Sequence, residues 1–410
     1  MSKRIPLGIA IAVILAAIAV SSVISINLVV KHYNELLVEL PQRAQQYSSL
    51  ADVEELVRKE YFGEMDSSRV DESLANGFLA GLGDSFCYYI APEDFEIYNN
   101  LIKGRMPGLG INVYYESATD DLIVSFVEEK SPAASTEIKK DTHIVSVNGK
   151  NVTEENHKEL IALFTDSFDS KIKIAYTNQP AEKTKDDKKT ETKEIELISG
   201  YNASSCISSI DGKYGYVRIV DFFEHTVQEF KDIMNTFTEA DVTSVIIDLR
   251  NSSGADLDVA AGIIDIIVPV GNEGTGAIYT AKNSSGEIVS QASSDSASLP
   301  FRFAVLINDR TECAAELVAC DLRDFGKAVL VGETSSGHGS LQELFRLENG
   351  AAVTLTVAEI IPYTSDSFDE KGVDPDLKVE ISESMKNQLG NISLSEDPQY
   401  QAALSYLKSK

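Results

Sequence analysis

Between Ile5 and Val30 the chain carries no charged residue. That is a mostly apolar run of the roughly 20 residues a helix needs to cross a bilayer. Lys3 and Arg4 precede it, which favours an N-terminus on the inside of the membrane. A cleaved signal peptide is the rival reading, because Ala16, Ala17 and Ala19 are small, but the run is long for such a segment and no clear A-x-A site closes it. Tyr33, Leu36, Leu37 and Leu40, then a second stretch from Val53 to Tyr61, recur at helical spacing and predict a helical region next to the anchor. An aromatic, turn-rich segment, Gly83-Asp84-Ser85-Phe86-Cys87-Tyr88-Tyr89-Ile90-Ala91-Pro92, follows, with a short helix after it.

From Gly104 the pattern changes. Leu122 to Val127 and His143 to Val147 read as short strands, Asn148-Gly149 as a tight turn, and Thr153 to Phe164 as a capped helix. Gln179 to Lys193 has no apolar residue after Ala181 and reads as a solvated hairpin excursion or loop. Beyond residue 200 strands and helices alternate. Tyr214–Ile219, Val242–Leu249 and Phe303–Ile307 are strand-like, whereas Thr226–Phe237, Leu257–Ile267 and Ala314–Phe325 are helical. Such alternation predicts an α/β core with at least partly parallel strands. The expected organisation is an anchor at 1–31, a helical region at 32–102, a small β-rich domain at 103–199, an α/β core at 200–392 and a C-terminal tail at 393–410.

Composition narrows the partners. The 410 residues hold 36 basic and 64 acidic side chains, a formal charge of −28, which repels polyphosphate and argues against nucleic acid as a partner. The membrane is approached through the N-terminal segment alone, which leaves the acidic bulk outside the cytoplasmic membrane. Cys87, Cys206, Cys313 and Cys320 show neither C-x-x-C nor metal-ligand spacing, so neither metal nor cofactor is expected. One disulfide between distant cysteines stays open, and Cys87, Cys206 and Cys320 are expected to be small buried apolar residues.

Two of the strand ends carry candidate chemistry. Asp248-Leu249-Arg250-Asn251 empties into Ser252-Ser253-Gly254-Ala255, a small-residue turn before a helix whose backbone N–H groups suit an oxyanion. Asn308 leads through a polar turn to Cys313 at the start of a helix, where the macrodipole favours a thiolate and the neighbouring Glu312 opposes it. His338 lies in Gly337-His338-Gly339-Ser340. A thiol and an imidazole make a chemically sufficient nucleophile and base. His32, His143, His157 and His225 have no motif around them and read as surface or structural residues.

Gly108-Leu109-Gly110-Ile111, Ser131-Pro132-Ala133-Ala134 and Ile144-Val145-Ser146-Val147-Asn148-Gly149 together resemble a PDZ domain, with Asp141-Thr142 where Gly-Asp is common. That resemblance implies capture of peptide C-termini by strand addition, with the backbone of Leu109, Gly110 and Ile111 holding the terminal carboxylate. The wider chain resembles the carboxyl-terminal processing peptidases. The resemblance rests on Gly83-Asp84, Gly215-Tyr216-Val217-Arg218-Ile219, Asp248-Leu249-Arg250-Asn251, Ala314-Ala315-Glu316, Val331-Gly332-Glu333-Thr334, Gly337, Gly339-Ser340, Gln342 and Lys371-Gly372-Val373-Asp374-Pro375-Asp376. It implies a membrane-associated or exported peptidase built from a helical N-terminal region, an inserted PDZ domain and an α/β catalytic core, with self-association through the helical region.

In that family the nucleophile is a serine and the base a lysine between two glycines; here Cys313 and His338 occupy those positions, and Gln342 matches the supporting glutamine. Two readings follow. In one, the dyad has been remade as thiol and imidazole: Cys313 attacks, His338 takes the proton and Gln342 orients the ring. The oxyanion would then meet the N–H groups of Gly254 and Ala314, or of Ala255 if the turn is shifted. In the other, the catalytic site has decayed and the protein serves as a peptide-binding scaffold, as Ser253-Gly254-Ala255 in place of Pro-Gly-Gly and Thr311-Glu312 in place of small residues suggest. Glu316 and Glu333 are expected to orient backbone or close the core.

Overall fold

The computed structural model of the chain describes residues 47–178, 192–254, 256–268, 277–294 and 298–410, together with Ser21, Ser25 and Ile26. It divides into two compact units, Met1–Ser73 and Leu74–Lys410. The expected anchor lies outside the described residues except for those three isolated positions, and so does 179–191 of the polar excursion. Among the described residues no helix is long and apolar enough to cross a membrane. In the first unit, the helix Ser48–Glu60 buries none of its side chains, and Val53, Leu56 and Val57 stay exposed.

Within the second unit, five strands, Ile111–Glu116, Asp121–Val127, His143–Val147, Lys171–Thr177 and Lys193–Ile198, form a wholly antiparallel sheet in that order, and Lys150–Asn151 adds to His143–Val147. Alternate residues turn inward in two strands, Leu122 with Val124 and Ile172 with Ile174, and a register shift between Ile144 and Ser146 lets Ile144 and Val147 join the same core with Leu160 and Phe164 of the helix His157–Thr165. Asn148 and Gly149 both take positive φ, 49° and 79°, as a two-residue turn of that hairpin requires. Asp141 also adopts a left-handed φ of 68°, so it supplies the backbone shape for which glycine is the usual solution.

Another sheet of this unit begins at Cys206–Asp211, antiparallel to Tyr214–Ile219, and continues through Ser244–Asp248, Arg302–Ile307, Ala328–Gly332 and Leu377–Lys378, all parallel. Its central strands Ser244–Asp248 and Arg302–Ile307 bury both faces, which is why they read as near-continuous apolar runs. On one face Val245, Ile247, Val305 and Ile307 meet the helices Thr226–Glu239, Leu257–Ile267 and Ala314–Asp324. On the other, Ile246, Ala304 and Leu306 meet Tyr400, Ala403, Leu404 and Leu407. Those last four belong to the helix Pro398–Lys408, inside the stretch set apart in the sequence as a tail. A third sheet, antiparallel, centres on Ala352–Ile361, which pairs with Ser340–Arg346, Ala277–Lys282 and Tyr88–Ile90. The aromatic segment around residue 88 is therefore partly a strand, and Asp84 and Cys87 just before it meet Thr356 of the same sheet.

One buried cation ties the parallel sheet to the C-terminal helix. Arg250 is 1% exposed; its guanidinium donates to Asp248 Oδ1 and Oδ2 at 2.9 and 2.6 Å, to Asp397 Oδ1 and Oδ2 at 3.1 and 2.6 Å and to Gln399 Oε1 at 2.9 Å. Burial works against each charge here, and the mutual attraction outweighs it, leaving Asp248 below the ordinary carboxylate range. Asp397 also caps the Pro398–Lys408 helix through the Gln399 and Tyr400 N–H groups. Removing the cation alone strands two carboxylates in the core. We expect Arg250→Met to lower the urea-derived stability by about 3–5 kcal/mol; an unchanged unfolding midpoint would contradict this role.

Candidate active site

Three parallel strands release their C-terminal loops to the same edge of the sheet. Ser244–Asp248 leads to Gly254, Arg302–Ile307 to Cys313 and Ala328–Gly332 to His338, and the edge beyond strand C-termini is where α/β sheets place their ligands. The loops are stitched together: Asn251 N–H donates to Asn308 Oδ1 at 3.0 Å, Glu312 N–H to Ser252 O at 2.9 Å and Ser336 N–H to Thr311 O at 3.1 Å.

Glu316 sits at the centre of this edge, fully buried in the first turn of the Ala314–Asp324 helix. Its Oε2 accepts the Cys313 N–H at 3.0 Å and the His338 N–H at 2.8 Å. Its Oε1 accepts the Gly337 N–H at 2.7 Å and the Ser335 hydroxyl at 2.5 Å. Nucleophile and base candidates are therefore hung by their backbones on a single carboxylate oxygen. Burial raises the Glu316 pKa, and these hydrogen bonds offset part of that rise. The glycines flanking His338 are required by space: Gly337 has φ 85°, and a Cβ on Gly339 would lie 2.4 Å from Asp369 N.

Cys313 occupies the helix N-cap with φ 45° and ψ −103°, a left-handed conformation that costs a non-glycine residue on the order of 1–3 kcal/mol. Its side chain is 2% exposed and Sγ faces Ser340 O at 3.9 Å. The helix start was expected to favour a thiolate; the net effect is the reverse. Burial, reinforced by the Glu316 charge and more weakly by Glu312 and Asp369, pushes the thiol up to about 12.

His338 is 8% exposed, with its ring stacked on Phe86 at 3.4 Å between centroids and 10° between planes. Nε2 faces Gln342 Oε1 at 3.0 Å. Burial lowers its pKa, against the raising influence of Gln342, Asp369 and Asp84. Among the described residues no hydrogen bond links the Cys313 sulfur to the imidazole. At rest the thiol and the imidazole are both neutral.

At the expected oxyanion position, the Ala314 N–H donates to Gly254 O at 3.1 Å, and the Cys313 N–H is held by Glu316. Gly254 has φ 127°, while Ala255 lies outside the described residues. Glu333 accepts Lys386 at 2.6 Å and the Ile381 N–H at 2.9 Å, away from the thiol's partners. Cys87, Cys206 and Cys320 are buried free thiols, as is Cys313. His143 and His225 bond Asp121 and Ala203 O, while His157 bonds Glu154 O and stacks on Tyr115. Asp84, Phe86 and Thr356 surround the His338–Gln342 pair and had no catalytic signal of their own in the sequence.

In the antiparallel domain, the Leu109 N–H donates to Phe164 O at 3.0 Å and the Gly108 N–H to Ser167 O at 2.7 Å, so this part of the glycine loop closes on the helix end. Gly110 and Ile111 line a cavity of about 230 Å³ with Phe126 and Phe164.

Residues 213–379 match peptidase family S41, and residues 101–175 match the PDZ domain. The chain is 26% identical to the carboxy-terminal processing protease CtpA of Bacillus subtilis over 83% of its own length and 70% of that protein. It is 27% identical to carboxyl-terminal-processing peptidase 3 of Arabidopsis thaliana, over 73% of this chain and 58% of that one. A Synechocystis carboxyl-terminal-processing protease is also 27% identical, over 80% and 75%. Among solved structures, the photosystem II D1 C-terminal processing protease aligns with a TM-score of 0.46 at 21% identity, covering 80% of this chain and 86% of that one. A putative S41 protease from Bacteroides fragilis gives 0.48 at 18% identity, covering 85% and 91%.

A neutral, buried thiol has a distinct reactivity. Alkylation of Cys313 by iodoacetamide in the native protein should be slower at pH 7.5 than that of a free thiol and should keep rising above pH 9. A plateau near pH 7, the mark of a preformed thiolate, would overturn the electrostatic description.

Proposed function

We propose that this chain, which belongs to peptidase family S41 and carries a PDZ domain, is a membrane-anchored, extracytoplasmic endopeptidase. It takes unstructured protein C-termini through the PDZ domain and cuts them at Cys313 with His338 as base. The observation that carries this reading is the shared Glu316 Oε2, which accepts both the Cys313 and His338 N–H groups. Such a clamp holds a nucleophile loop and a base loop in fixed relation, as positioned catalysis needs. Gln342, on the imidazole, keeps the ring oriented. The names of the relatives support a processing reaction, and the uncharged run from Ile5 to Val30 supports the anchor.

In the reaction the ring nitrogen of His338 that does not face Gln342 takes the thiol proton as sulfur bonds to the scissile carbonyl carbon, and the carbonyl π pair moves to oxygen. The Ala314 N–H then exchanges Gly254 O for this oxyanion. Collapse breaks the C–N bond, and the imidazolium gives its proton to the departing amine. Water, deprotonated by the same imidazole, opens the thioester to a new C-terminal carboxylate and restores the thiol. Because both groups rest neutral, proton transfer accompanies attack. No metal or cofactor takes part in this scheme.

A scaffold without catalysis is the second reading. It is favoured by the occupied Ala314 and Cys313 N–H groups and by the buried sulfur. Incubation with an unstructured protein separates the two. Wild type should cleave it, sensitive to iodoacetamide, and Cys313→Ala and His338→Ala should each lose at least about 100-fold in kcat/KM. The acid limb of the rate should fall below the ordinary histidine range, in keeping with the lowered His338 pKa. Absence of wild-type cleavage with C-terminal peptide binding retained would establish the scaffold instead.

A further inference from the structure

Asp84 is remote from His338 in sequence but two side chains away in space. The Thr356 hydroxyl donates to Asp84 Oδ2 at 2.6 Å, and Gln342 Nε2 lies 3.1 Å from Thr356 Oγ1 and 3.0 Å from Ser340 Oγ. Gln342 Oε1 then faces His338 Nε2 at 3.0 Å. Donor and acceptor roles propagate along this chain from its anionic end. An ionised carboxylate only accepts, so the single Thr356 proton goes to Asp84. The Thr356 oxygen is left to accept, so it takes a Gln342 N–H. The amide must then present its oxygen to the imidazole, and the ring nitrogen there must carry the proton.

We infer that Asp84 is a positioning residue for His338: through Thr356 and Gln342 it selects the Nε2–H tautomer and leaves Nδ1 bare to take the Cys313 proton. The inference rests on the thiol–imidazole reading above and supplies the acidic member that this pair otherwise lacks. Which imidazole nitrogen is protonated is set by the hydrogen bond made at the other end of the ring. The same carboxylate fixes the ring plane as well. Asp84 Oδ1 accepts the Phe86 N–H at 2.9 Å, and Phe86 is the ring stacked on His338.

The charged groups facing His338 are Asp84, Asp369, which accepts the Gly339 N–H at 2.9 Å, and Glu316, which accepts the His338 N–H. Cys87 Sγ adds a contact to Asp84 Oδ2 at 3.4 Å. Burial opposes ionisation of Asp84, but the bonds from Thr356, Phe86 and Cys87 prevail and its pKa is lowered. Neither Asp84 nor Thr356 contacts Cys313 Sγ in these hydrogen bonds, so their influence passes through Gln342 and, for Asp84, also through Phe86.

The test is 15N NMR of histidine-labelled full-length protein in detergent, with the His338 signals assigned by their loss in His338→Ala. Wild type and Thr356→Ser should show protonated Nε2 and bare Nδ1. Asp84→Asn and Thr356→Val should show mixed tautomers, with kcat down at least about tenfold, KM little changed and the acid limb displaced. Thr356→Ser keeping the wild-type signature separates loss of the relay from loss of the fold. A tautomer and acid limb unchanged in both disrupting variants, or wild type protonated at Nδ1, overturns the inference. Because the spectra need no turnover, the expected tautomers in a protein that cleaves nothing would uphold the relay while removing the peptidase reading.

Discussion

The arrangement depends on a carboxylate that the fold has removed from water. Glu316 is fully buried, and its two oxygens gather five donors, the Ser336 hydroxyl among them, from the helix start and from the loop carrying His338. An uncompensated buried charge is costly, so every one of these donors is under pressure to remain in place. That pressure helps hold Cys313 in its left-handed backbone conformation and keeps the loop of Ser335 to His338 closed over the helix. The parallel sheet supplies the frame, with three strand ends delivering their loops to one edge and Arg250 fastening the sheet to the C-terminal helix.

Burial also determines the electrostatic character of the site. It raises the thiol, lowers the imidazole and keeps both neutral at rest. The helix N-terminus acts in the opposite direction on Cys313, but desolvation and the nearby Glu316 charge prevail. A site of this kind favours concerted proton transfer over a stored thiolate–imidazolium pair. Asp84 contributes at a distance, by polarity of hydrogen bonding transmitted through Thr356 and Gln342.

Much of the frame was legible in the residues. The apolar runs around Val245, Val305 and Tyr216, the Asn148-Gly149 turn and the helix of Leu257 to Ile267 are local patterns, and each forms the element its pattern implies. Motif order singled out Cys313, His338 and Gln342 as candidates, and in the structure Gln342 meets the imidazole. What pattern could not reveal is long-range and polar. Phe86 reaches His338, and Asp84 reaches Thr356, only because Tyr88–Ile90 pairs with Ala352–Thr354. Asp397 reaches Arg250 only because residues 398–408 fold back as a helix across the sheet. The thiol's shift was missed because helix position is visible in sequence whereas burial is a property of the assembled core.

The central claim is a covalent intermediate on Cys313, and intact-protein mass spectrometry after rapid acid quench with an excess of unstructured substrate tests it most directly. The account expects an added acyl mass that maps to the peptide containing Cys313, disappears in Cys313→Ala and is removed by hydroxylamine, as a thioester is. Cleavage without such an adduct, or an adduct on any other residue, would contradict it.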